Sequence, residues 1–461
     1  MVVLTRCLTF SIAIPSRPEG ETSMKNWAFL IVIVFCAVTF EITAYGQTCP
    51  LAAGCLDPTF GSGGTVAIPV PSPGSRDTVP RDIVAQSDGK IVVMFGCCST
   101  WGLMRINADG SLDTSFGING FMITTWDFTY KNFIYHNNTN AIALQQVNGE
   151  QRILVAGQSA MIVGNKVIFT RLRVDRYTAN GVLDTSFGND GVSMLNVGSA
   201  QTIAVQPSDQ KILTDGESYG ELVRLNVNGY LDMSFGNAGT VDTGATTDMA
   251  VDATGRILVS GRQVVGKGNK QQTVSTVKRY FSGGSLDTSF GTNGTATIGY
   301  SQSFSVIRLK VDPFGNVVVA GSLGSVSAGN ADFAVARLTE NGLLDTSFNG
   351  SGKASASLTP VAGLLSSMGI QADGKIVLIG AVNPPGSTIR DAGVARFTFN
   401  GALDSLFGNG GSLTFDIDGD DYFSPTGGGG LVQLDPTCGC EKIIVASGTP
   451  GYTTFARLTT F

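Results

Sequence analysis

One nine-residue stretch recurs in seven related copies along this chain of 461 residues. In the copy from Leu286 to Gly294 it reads Leu-Asp-Thr-Ser-Phe-Gly-Thr-Asn-Gly. Self-similarity on this scale is typical of repeat architectures, in which each unit buries its apolar face by stacking on its neighbours. Successive copies stand 48 to 71 residues apart, and their aspartates are Asp57, Asp113, Asp184, Asp232, Asp287, Asp345 and Asp404. The sequence therefore predicts one body built from seven units.

The constant positions of the repeat are of two kinds: some are required by the conformation of the backbone and others by packing. A glycine stands seven residues after each aspartate, from Gly64 through Gly411, which indicates a turn residue with positive φ. A phenylalanine stands three residues after each aspartate: Phe60, Phe116, Phe187, Phe235, Phe290, Phe348 and Phe407. We expect these rings to pack between units as core.

Each unit also shows a regular pattern of strands. Met368 to Gly380 reads as a β-hairpin, because two apolar runs flank the turn sequence Ala372-Asp373-Gly374. A third strand such as Phe333 to Leu338 and a fourth such as Thr295 to Ile298 complete a unit. Four antiparallel strands in each of seven units predict an all-β, seven-bladed β-propeller.

An arginine precedes the repeated aspartate by eight residues in every copy that can be tested. For Arg337 and Asp345 the midpoint lies in Glu340-Asn341-Gly342, so a three-residue hairpin loop places the two side chains opposite each other. Such an array could suggest catalysis, but its repetition in every blade favours a structural role. The predicted ion pairs are Arg105–Asp113, Arg176–Asp184, Arg224–Asp232, Arg279–Asp287, Arg337–Asp345, Arg396–Asp404 and, joining the two ends, Arg457–Asp57.

The last of these pairs predicts how the ring closes. Asp57 has no arginine eight residues upstream, and Arg457 has no motif downstream, so each end lacks what the other has. We expect Leu56 to Val70 to form the outermost strand of the last blade, beside Tyr452 to Phe461. An N-terminal strand added to the C-terminal blade removes open sheet edges.

The first 46 residues read as targeting rather than fold. Met24-Lys25-Asn26 supplies a positive flank, Trp27 to Phe40 an apolar run, and Ala44-Tyr45-Gly46 a small-residue cleavage site. This pattern predicts a secretory signal peptide over residues 24–46, after an upstream leader over 1–23 that need not be translated. Residues 47–461 form the propeller. We expect a secreted protein, extracellular, at the cell surface or periplasmic, without a transmembrane segment in the mature chain.

Charge and composition exclude one class of partner. The net charge is −6 and only 14% of residues are charged, so nucleic acid is not expected as a partner. We expect the mature protein to be a monomer.

The motif allows a family resemblance to be stated. Leu-Asp-Thr-Ser-Phe-Gly-x-x-Gly, with upstream Gln-x-Asp-Gly-Lys-Ile and Ala-Arg-Leu, resembles the delta-60 repeat, which occurs in tandem in secreted and surface bacterial proteins. The resemblance runs from Leu56 to Phe461 and implies a β-propeller. It departs locally at Ser208-Asp209-Gln210 and at Asn349, which replaces a motif glycine. It implies no activity, so no functional residues carry over.

Six cysteines follow the signal segment, and an even number in an exported chain favours disulfides: Cys49, Cys55, Cys97, Cys98, Cys438 and Cys440. The alternative is a metal site at Cys438-Gly439-Cys440, but the single histidine, His136, leaves no tetrahedral set. From strand order we expect Cys49 and Cys55 to be cross-linked to Cys438 and Cys440. Cys97 and Cys98 are then left as a vicinal pair or as free thiols.

Differences between repeats point to candidate functional loops. Three connections between blades are long: Pro71 to Pro80, Trp126 to Asn140 and Asp416 to Gly430. The second carries the candidate ligand-binding residues Trp126, Phe128, Tyr130, Tyr135 and His136. The third carries Asp416, Asp418, Asp420 and Asp421, hard oxygen ligands that predict a weak calcium site. No other cofactor is expected.

Two functional classes compete on this evidence. The first is a binding or scaffold module that presents these loops on one face to a glycan, a peptide or a protein. The alternative is a hydrolase or lyase at the mouth of the propeller channel, with His136 or a pair of the loop aspartates as acid and base. The sequence assigns no catalytic residue. In the plainest interpretation, the aromatic residues cover blade edges and the acidic loop is solvated.

Overall fold

The regular structure of the described residues consists of twenty-nine β-strands and no helix. The structure is a computed structural model that describes residues 53–71, 79–97, 100–125, 128–130, 133–163, 166–216, 220–266, 272–325, 331–358, 363–383, 390–417, 429–436, 438–449 and 451–461. In chain order the strands are β1 (Thr65–Pro69), β2 (Pro80–Ala85), β3 (Ile91–Cys97), β4 (Thr100–Ile106), β5 (Phe121–Thr125), β6 (Phe128–Tyr130), β7 (Phe133–Val147), β8 (Glu150–Val163), β9 (Lys166–Thr178), β10 (Val192–Leu195), β11 (Ile203–Val205), β12 (Ile212–Gly216), β13 (Glu221–Leu225), β14 (Thr240–Asp242), β15 (Thr246–Val251), β16 (Ile257–Val265), β17 (Gln272–Tyr280), β18 (Thr295–Ile298), β19 (Phe304–Val311), β20 (Val317–Leu323), β21 (Asp332–Leu338), β22 (Lys353–Ala356), β23 (Gly363–Ile370), β24 (Ile376–Val382), β25 (Asp391–Phe397), β26 (Ser412–Phe415), β27 (Gly430–Asp435), β28 (Cys440–Thr449) and β29 (Tyr452–Thr459).

These strands form seven sheets, which we number as blades in chain order. Blades 1 to 6 have the strand orders β2-β3-β4-β5, β7-β8-β9-β10, β11-β12-β13-β14, β15-β16-β17-β18, β19-β20-β21-β22 and β23-β24-β25-β26, and blade 7 is β27-β28-β29-β1. The first strand of each blade lines a central cavity, so the sheets radiate from it. The predicted seven-bladed all-β propeller, with four antiparallel strands per blade, is confirmed.

Blade 7 combines strands from both ends of the described chain. β1 pairs antiparallel with β29, in a register that places Val66 opposite Phe455. The adjoining bridge of Leu56 with Leu458 extends this pairing towards the repeated motif. The segment therefore occupies the outer position that the Arg457–Asp57 match predicts.

Blade 2 carries a fifth strand, which the sequence interpretation missed. Residues 126–140 were expected as a loop, but β7 begins at Phe133 and β6 pairs with it, with Phe128 opposite Tyr135. Phe-Thr-Tyr and Phe-Ile-Tyr are rich in aromatic and β-branched residues, which favour strands over loops. The loop expectation is therefore wrong for this part of the connection.

The hydrophobic core lies between neighbouring blades. All seven motif phenylalanines are fully buried. Phe290 of blade 4, for example, packs in one cluster with Val317 and Val319 of blade 5. Because each blade lends its phenylalanine to such a junction, the invariant spacing of this residue is explained by packing between units.

The turns that carry the motif have the backbone that their residues predict. The glycines seven residues after the aspartate, such as Gly352, have positive φ, and so does Asn349, which replaces a motif glycine at φ 49°. Asparagine tolerates this region better than other side-chain-bearing residues do. The departure from the motif therefore preserves the turn.

Candidate functional site

The most prominent concave site is the cavity at the centre of the ring. Its volume is about 1080 Å³, and the inner strands of all seven blades contribute to its lining. Ligand sites in proteins are typically concave and few in number, which makes this cavity the leading candidate among the described residues.

The repeated arginines and aspartates form an array of their own away from the cavity. Each arginine Nε lies against the Oδ2 of its predicted aspartate: 2.7 Å in Arg105–Asp113, Arg279–Asp287 and Arg337–Asp345, 2.8 Å in Arg176–Asp184 and Arg224–Asp232, 2.9 Å in Arg396–Asp404 and 3.0 Å in Arg457–Asp57. Each guanidinium also lies 4.5 to 5.0 Å from the ring centre of a motif phenylalanine. The seven pairs are thus alike in geometry as well as in spacing.

The same arginines join neighbouring blades. Arg337 of blade 5 donates through Nη1 to the carbonyl oxygen of Phe399 in blade 6 at 2.6 Å, and Arg457 of blade 7 donates to Ala108 of blade 1. The other acceptors are Ala179, Val227, Ser282, Glu340 and Thr460. Every arginine therefore ties its own hairpin to the next blade, which is a structural task.

The charges of this array shift the titration of its carboxyl groups. Burial by itself would raise the pKa of Asp57, but hydrogen bonds from Lys442 and Thr59, together with the charge of Arg457, lower it to about 2. The pKa values of Asp113, Asp184, Asp232, Asp287 and Asp345 are lowered for the same kinds of reason. These carboxylates are therefore held ionised as structural anions.

The cavity wall differs from the array because its residues change from blade to blade. In five inner strands the register with the second strand shifts by one residue. Such β-bulges re-aim the side chains that follow them. The residues directly after the shift all line the cavity: Asp82, Ala141, Asp248, Arg308 and Ser367. The same β-bulge therefore places a residue at the equivalent position of the cavity wall in five blades, although the residue type varies among the blades.

Asp82 and Asp248 occupy equivalent positions and make equivalent hydrogen bonds. Asp82 accepts the N–H of Ile83 at 2.9 Å and that of Ile142 in the next blade at 2.9 Å. Asp248 accepts the N–H of Met249 at 2.9 Å and that of Leu309 in the next blade at 2.8 Å. Both carboxyl groups therefore satisfy backbone donors at a blade junction.

Burial raises the pKa of both of these carboxyl groups. For Asp82 the opposing effects are the hydrogen bond from Ile142 and the charge of Arg308. For Asp248 they are the charge of Arg308 and the hydrogen bond from Leu309. Since one guanidinium acts electrostatically on both carboxyl groups, the three side chains belong to one site.

A third buried carboxyl group lies behind the cavity wall. Asp215 accepts the N–H groups of Gln201 and Thr202, each at 2.8 Å, and both of these residues line the cavity. Burial raises the pKa of Asp215 to about 6, against the effect of these hydrogen bonds.

Two cations of the cavity, Arg308 and Lys310, form no salt bridge within the described residues, although their charges act on Asp82 and Asp248. Arg308 donates to the backbone oxygen of Ile307 at 2.7 Å, and Lys310, two residues further along β19, also lines the cavity. Within the described ranges neither side chain has an ion-pair partner. Arg262 lines the cavity as well and donates to Ser305 Oγ. These groups can hold an anion.

The residues predicted for ligand binding are only partly described. Trp126 lies outside the described residues, and for Phe128, Tyr130, Tyr135 and His136 the structure describes the backbone alone. The backbones of Phe128 and Tyr135 are paired, and His136 pairs with Ala160. Downstream, the same strand lines the cavity from Asn140 to Ile142. The aromatic segment therefore continues a cavity-lining strand.

The calcium prediction falls at an edge of the described chain. Asp418, Asp420 and Asp421 lie outside the described residues, whereas Asp416 is described and its charge, after the effect of burial, helps to raise the pKa of Asp391. Among the residues that the structure covers, no three His, Cys, Asp or Glu side chains come together as a metal site requires. The calcium site stays a prediction.

The disulfide prediction needs correction. The structure joins Cys438 to Cys440, with their Cα atoms 5.2 Å apart, so the expected cross-link from this pair to Cys49 or Cys55 is wrong. The physical reason is the turn they share, which brings two cysteines separated by one glycine within disulfide reach. Cys55 is half-buried, and its carbonyl accepts the N–H of Thr459 at 2.9 Å. Cys49, Cys98 and the side chain of Cys97 lie outside the described part.

The sequence contained a signal for the cavity residues that the interpretation did not use. Asp82, Asp248 and Arg308 each stand four residues before the polar residue that precedes a hairpin turn, namely Gln86, Asp252 and Asp312. When the repeats are aligned on that polar residue, the position four residues before it varies among the blades, whereas the motif positions are constant. This variable position lies on the inner strands, outside the long connections that were considered as candidate functional loops.

A comparison with protein families now bears on the repeats. Residues 86–116, 315–348 and 371–407 match a family described as "Domain of unknown function (DUF5122) beta-propeller". Three of the seven units therefore match a propeller repeat family. These segments lie in blades 1, 5 and 6, and each contains the paired arginine and aspartate and ends at the motif phenylalanine. The comparison with curated proteins finds no match.

Solved structures resemble the propeller only distantly. Hydrazine synthase of Kuenenia stuttgartiensis is 10% identical, with a TM-score of 0.44 over 81% of this chain and 98% of that chain. Semaphorin 2a of Drosophila is 9% identical, with a TM-score of 0.44 over 89% and 76%. A streptogramin B lyase is 7% identical, with a TM-score of 0.35 over 86% and 97%. Their roles differ, and at this similarity they carry no argument about function.

The described part of the chain contains no helix with the length and hydropathy of a membrane span.

Proposed function

We propose that this protein is an exported binding module of the delta-60 repeat type, and that its ligand occupies the central cavity. The ligand is a small polar molecule with a carboxylate or phosphate group. Arg308 and Lys310 bind that anionic group, and Arg262 contributes a third positive charge. The signal segment over residues 24–46 supports export, and the family resemblance supports the type.

The observation that carries the proposal is the presence of cations without ion-pair partners in a cavity. Arg308 and Lys310 line it, and no carboxylate of the described residues pairs with either. All seven arginines of the repeated array, in contrast, have such partners. A guanidinium and an ammonium two residues apart on one strand suit an anion with two or more oxygen acceptors.

The size and composition of the cavity support a small ligand rather than a chain. Its volume of about 1080 Å³ is slightly above the usual range for ligand pockets, which reaches about 1,000 Å³. Asp82, Asp248 and Thr202 offer acceptors and donors around the same wall. Sugar acids, phosphorylated sugars and amino-acid derivatives combine these features.

The aromatic segment of blade 2 completes the proposal as an outer part of the site. β7 lines the cavity at Asn140 to Ile142 and continues back to Phe133, where it pairs with β6. We assign Trp126, Phe128, Tyr130, Tyr135 and His136 to contacts with a ligand that enters from this side. Aromatic faces stack on sugar rings and other flat groups.

Binding measurements on the purified mature chain test the proposal. A thermal-shift screen against sugar acids, sugar phosphates, amino acids and neutral sugars should give an increase in Tm with anionic compounds alone, because binding to the native state stabilises it. Calorimetry with the best compound should show at least about tenfold weaker binding for Arg308→Ala and Lys310→Ala. Lys166→Ala removes an equal charge on an exposed part of blade 2 and is the matched control. Equal loss in the control, or binding of neutral sugars only, would contradict the proposal.

A hydrolase or lyase with its active site in the channel is the second candidate. The observation that favours it is the raised pKa of Asp82 and Asp248, since carboxyl groups with raised pKa can act as general acids. Incubating the protein with each bound compound and following it by mass spectrometry separates the two functions. A product that Asp248→Asn abolishes would establish the enzyme, whereas an unchanged compound supports the binding module.

A further inference from the structure

The turn between β27 and β28 departs from the equivalent turn of every other blade. Gln433 pairs with Lys442 across eight intervening residues, whereas Gln371 and Lys375 of blade 6 enclose only three. The added residues include Cys438, Gly439 and Cys440, and the two cysteines form a disulfide. In a molecule of repeats, an insertion that carries reactive groups in one copy is a candidate for function.

The hairpin itself does not require this disulfide. The turn of blade 6 closes through a hydrogen bond from the N–H of Gly374 to the carbonyl of Gln371 at 2.9 Å, without a cross-link. The longer turn of blade 7 has a closing bond of its own, from the N–H of Gly439 to the carbonyl of Asp435 at 2.8 Å. A cross-link over three residues also constrains the unfolded chain far less than one over a long loop. Stability therefore does not explain the pair.

The two sulfur atoms differ in exposure and in hydrogen bonding. Cys438 and Gly439 are exposed, whereas Cys440 is half-buried. A Cβ added at Gly439 would meet nothing within 4 Å, so the space beside the disulfide is open. The N–H of Cys440 donates to Sγ of Cys438 at 3.3 Å. The exposure of Cys438 makes its sulfur the one open to attack, and because a hydrogen bond to a sulfur stabilises its thiolate, Cys438 is a good leaving group when a mixed disulfide on it is resolved.

From these features we propose that Cys438 and Cys440 form a redox-active site for thiol–disulfide exchange, separate from the channel and independent of the function proposed there. Its substrate is a thiol. A substrate thiolate attacks Sγ of Cys438, the Cys438–Cys440 bond breaks, and Cys440 leaves as a thiolate that takes up a proton. A second substrate thiolate then attacks the substrate sulfur of the mixed disulfide and releases the thiolate of Cys438. Two thiols are oxidised to one disulfide, and the protein disulfide is reduced to two thiols.

Equilibration of the full mature chain with glutathione buffers tests the proposal. Samples are quenched with acid, alkylated, and read by mass spectrometry at the peptide that contains both cysteines, so the other cysteines do not interfere. The pair should be reduced at least half by millimolar reduced glutathione that contains one tenth of the oxidised form, while circular dichroism and Tm stay native. Structural disulfides resist this buffer. A pair that stays oxidised, or that is reduced only on unfolding, would overturn the proposal.

Single substitutions test the roles of the two sulfur atoms. With Cys440→Ser, glutathione should be trapped on Cys438 as a mixed disulfide, and the Cys438 thiol should alkylate at pH 7 about threefold or more faster than the Cys440 thiol of Cys438→Ser. Equal or reversed rates would refute the assignment of Cys438 as the exchanging sulfur. Cys438 lies in an exposed turn and Cys440 is the half-buried first residue of β28, and the Tm of each variant shows directly whether it has folded.

A final arm distinguishes small thiols from protein thiols. The oxidised protein is given either glutathione or a reduced, unfolded ribonuclease at equal thiol concentration. Faster oxidation of the ribonuclease assigns the site to protein thiols, and faster oxidation of glutathione assigns it to small thiols. Oxidation of neither above the rate of the Cys438→Ser variant rejects the activity.

Discussion

The arginine of each repeat combines three contacts that a lysine or a shorter side chain cannot reproduce together. In blade 5, Arg337 is 1% exposed, lies 2.7 Å from Asp345, and covers the ring of Phe348 with its guanidinium. It also reaches Phe399 of the next blade. The planar, permanently charged group suits this position because it stacks and donates in a fork at the same time.

Arg337→Ala should therefore lower the free energy of unfolding by about 3–5 kcal/mol, because it removes a buried guanidinium with all three of its contacts and leaves the partly buried carboxylate of Asp345 without its partner. Urea unfolding followed by circular dichroism measures the change. Arg262→Ala, at an exposed arginine, should stay within about 0.5 kcal/mol of the parent protein. A loss below about 1 kcal/mol for Arg337→Ala would show that the pair behaves as a surface ion pair.

Residue-level prediction worked where the same signal recurs from blade to blade. The spacing of eight between arginine and aspartate, with a glycine in the hairpin loop between them, predicts opposed side chains in six pairs, and the unmatched ends of the repeats predict the seventh. All seven pairs lie within 3.0 Å. The cavity residues escaped because their orientation depends on a β-bulge, such as the one between Thr246 and Asp248. A single extra residue in a strand leaves no composition signal, yet it moves the next side chain to the other side.

At the scale of the element, the hairpin that carries the arginine and aspartate also forms the contact between blades. In blade 5, Gly342 has φ +79°, and a Cβ there would lie 2.7 Å from the backbone nitrogen of Gly291 in blade 4. That nitrogen donates to the carbonyl of Asn341 at 2.8 Å. The glycine is therefore required both by the turn and by the approach of the neighbouring blade.

Gly342→Ala should lower the free energy of unfolding by more than the roughly 1–2 kcal/mol expected from positive φ alone. Gly350→Ala is the matched control, because Gly350 also has positive φ, +68°, but a Cβ there meets nothing within 4 Å. The difference between the two variants in denaturant unfolding isolates the contact between blades. Equal losses would show that backbone strain alone accounts for both.

Strand-level prediction failed where a connection contained strand-favouring residues. Residues 126–140 lack a repeat motif, so the interpretation treated them as a loop, although Phe128–Tyr130 and Phe133–Tyr135 have the composition of strands. The disulfide failed for a related reason. Strand order predicts which face of the propeller carries Cys438 and Cys440. Which cysteines form the disulfide depends on the backbone path of the turn between β27 and β28, and the sequence does not define that path.

At the scale of the whole molecule, two groups of carboxyls act on stability in opposite pH ranges. Asp57, Asp113, Asp184, Asp232, Asp287 and Asp345 have lowered pKa values, so their stabilising effect is complete above the unfolded value of about 3.8 and is lost as pH falls through the folded value, about 2 for Asp57. Asp215 has a pKa raised to about 6, so its contribution is present below about 3.8 and is lost as pH rises through about 6.

The Tm should therefore rise as the pH is lowered from about 7.5 to 5 and should fall steeply below about 4. Calorimetry in buffers of constant ionic strength measures this profile. Asp215→Asn should reduce this rise without removing it, because burial also raises the pKa of Asp82 and Asp248, and it should leave the fall below about pH 4 in place. A profile that falls from pH 7.5 to 5 in the parent protein would contradict the assignment.

The outer strand of blade 7 should be required for a stable ring. Removing residues 53–70 deletes β1 and Asp57 and exposes the edge of β29. Because unpaired edges seek other strands, we expect this variant to self-associate and to unfold at a lower temperature. Light scattering and calorimetry measure both effects. A monomer with the Tm of the full mature chain would show that β1 is dispensable.

The position of β1 also determines when the molecule can become complete. Ribosomes release a chain from its amino end, so the partner of Val66, Phe455, emerges only after almost every other strand has been made. Six blades can assemble from neighbouring segments, but the seventh must wait, and closing so long a loop carries an entropic cost. Blade 7 can therefore form only after β29, near the end of the chain, has been translated. For an exported chain, as proposed above, the pairing of β1 with β29 would have to follow translocation of the C-terminal strand.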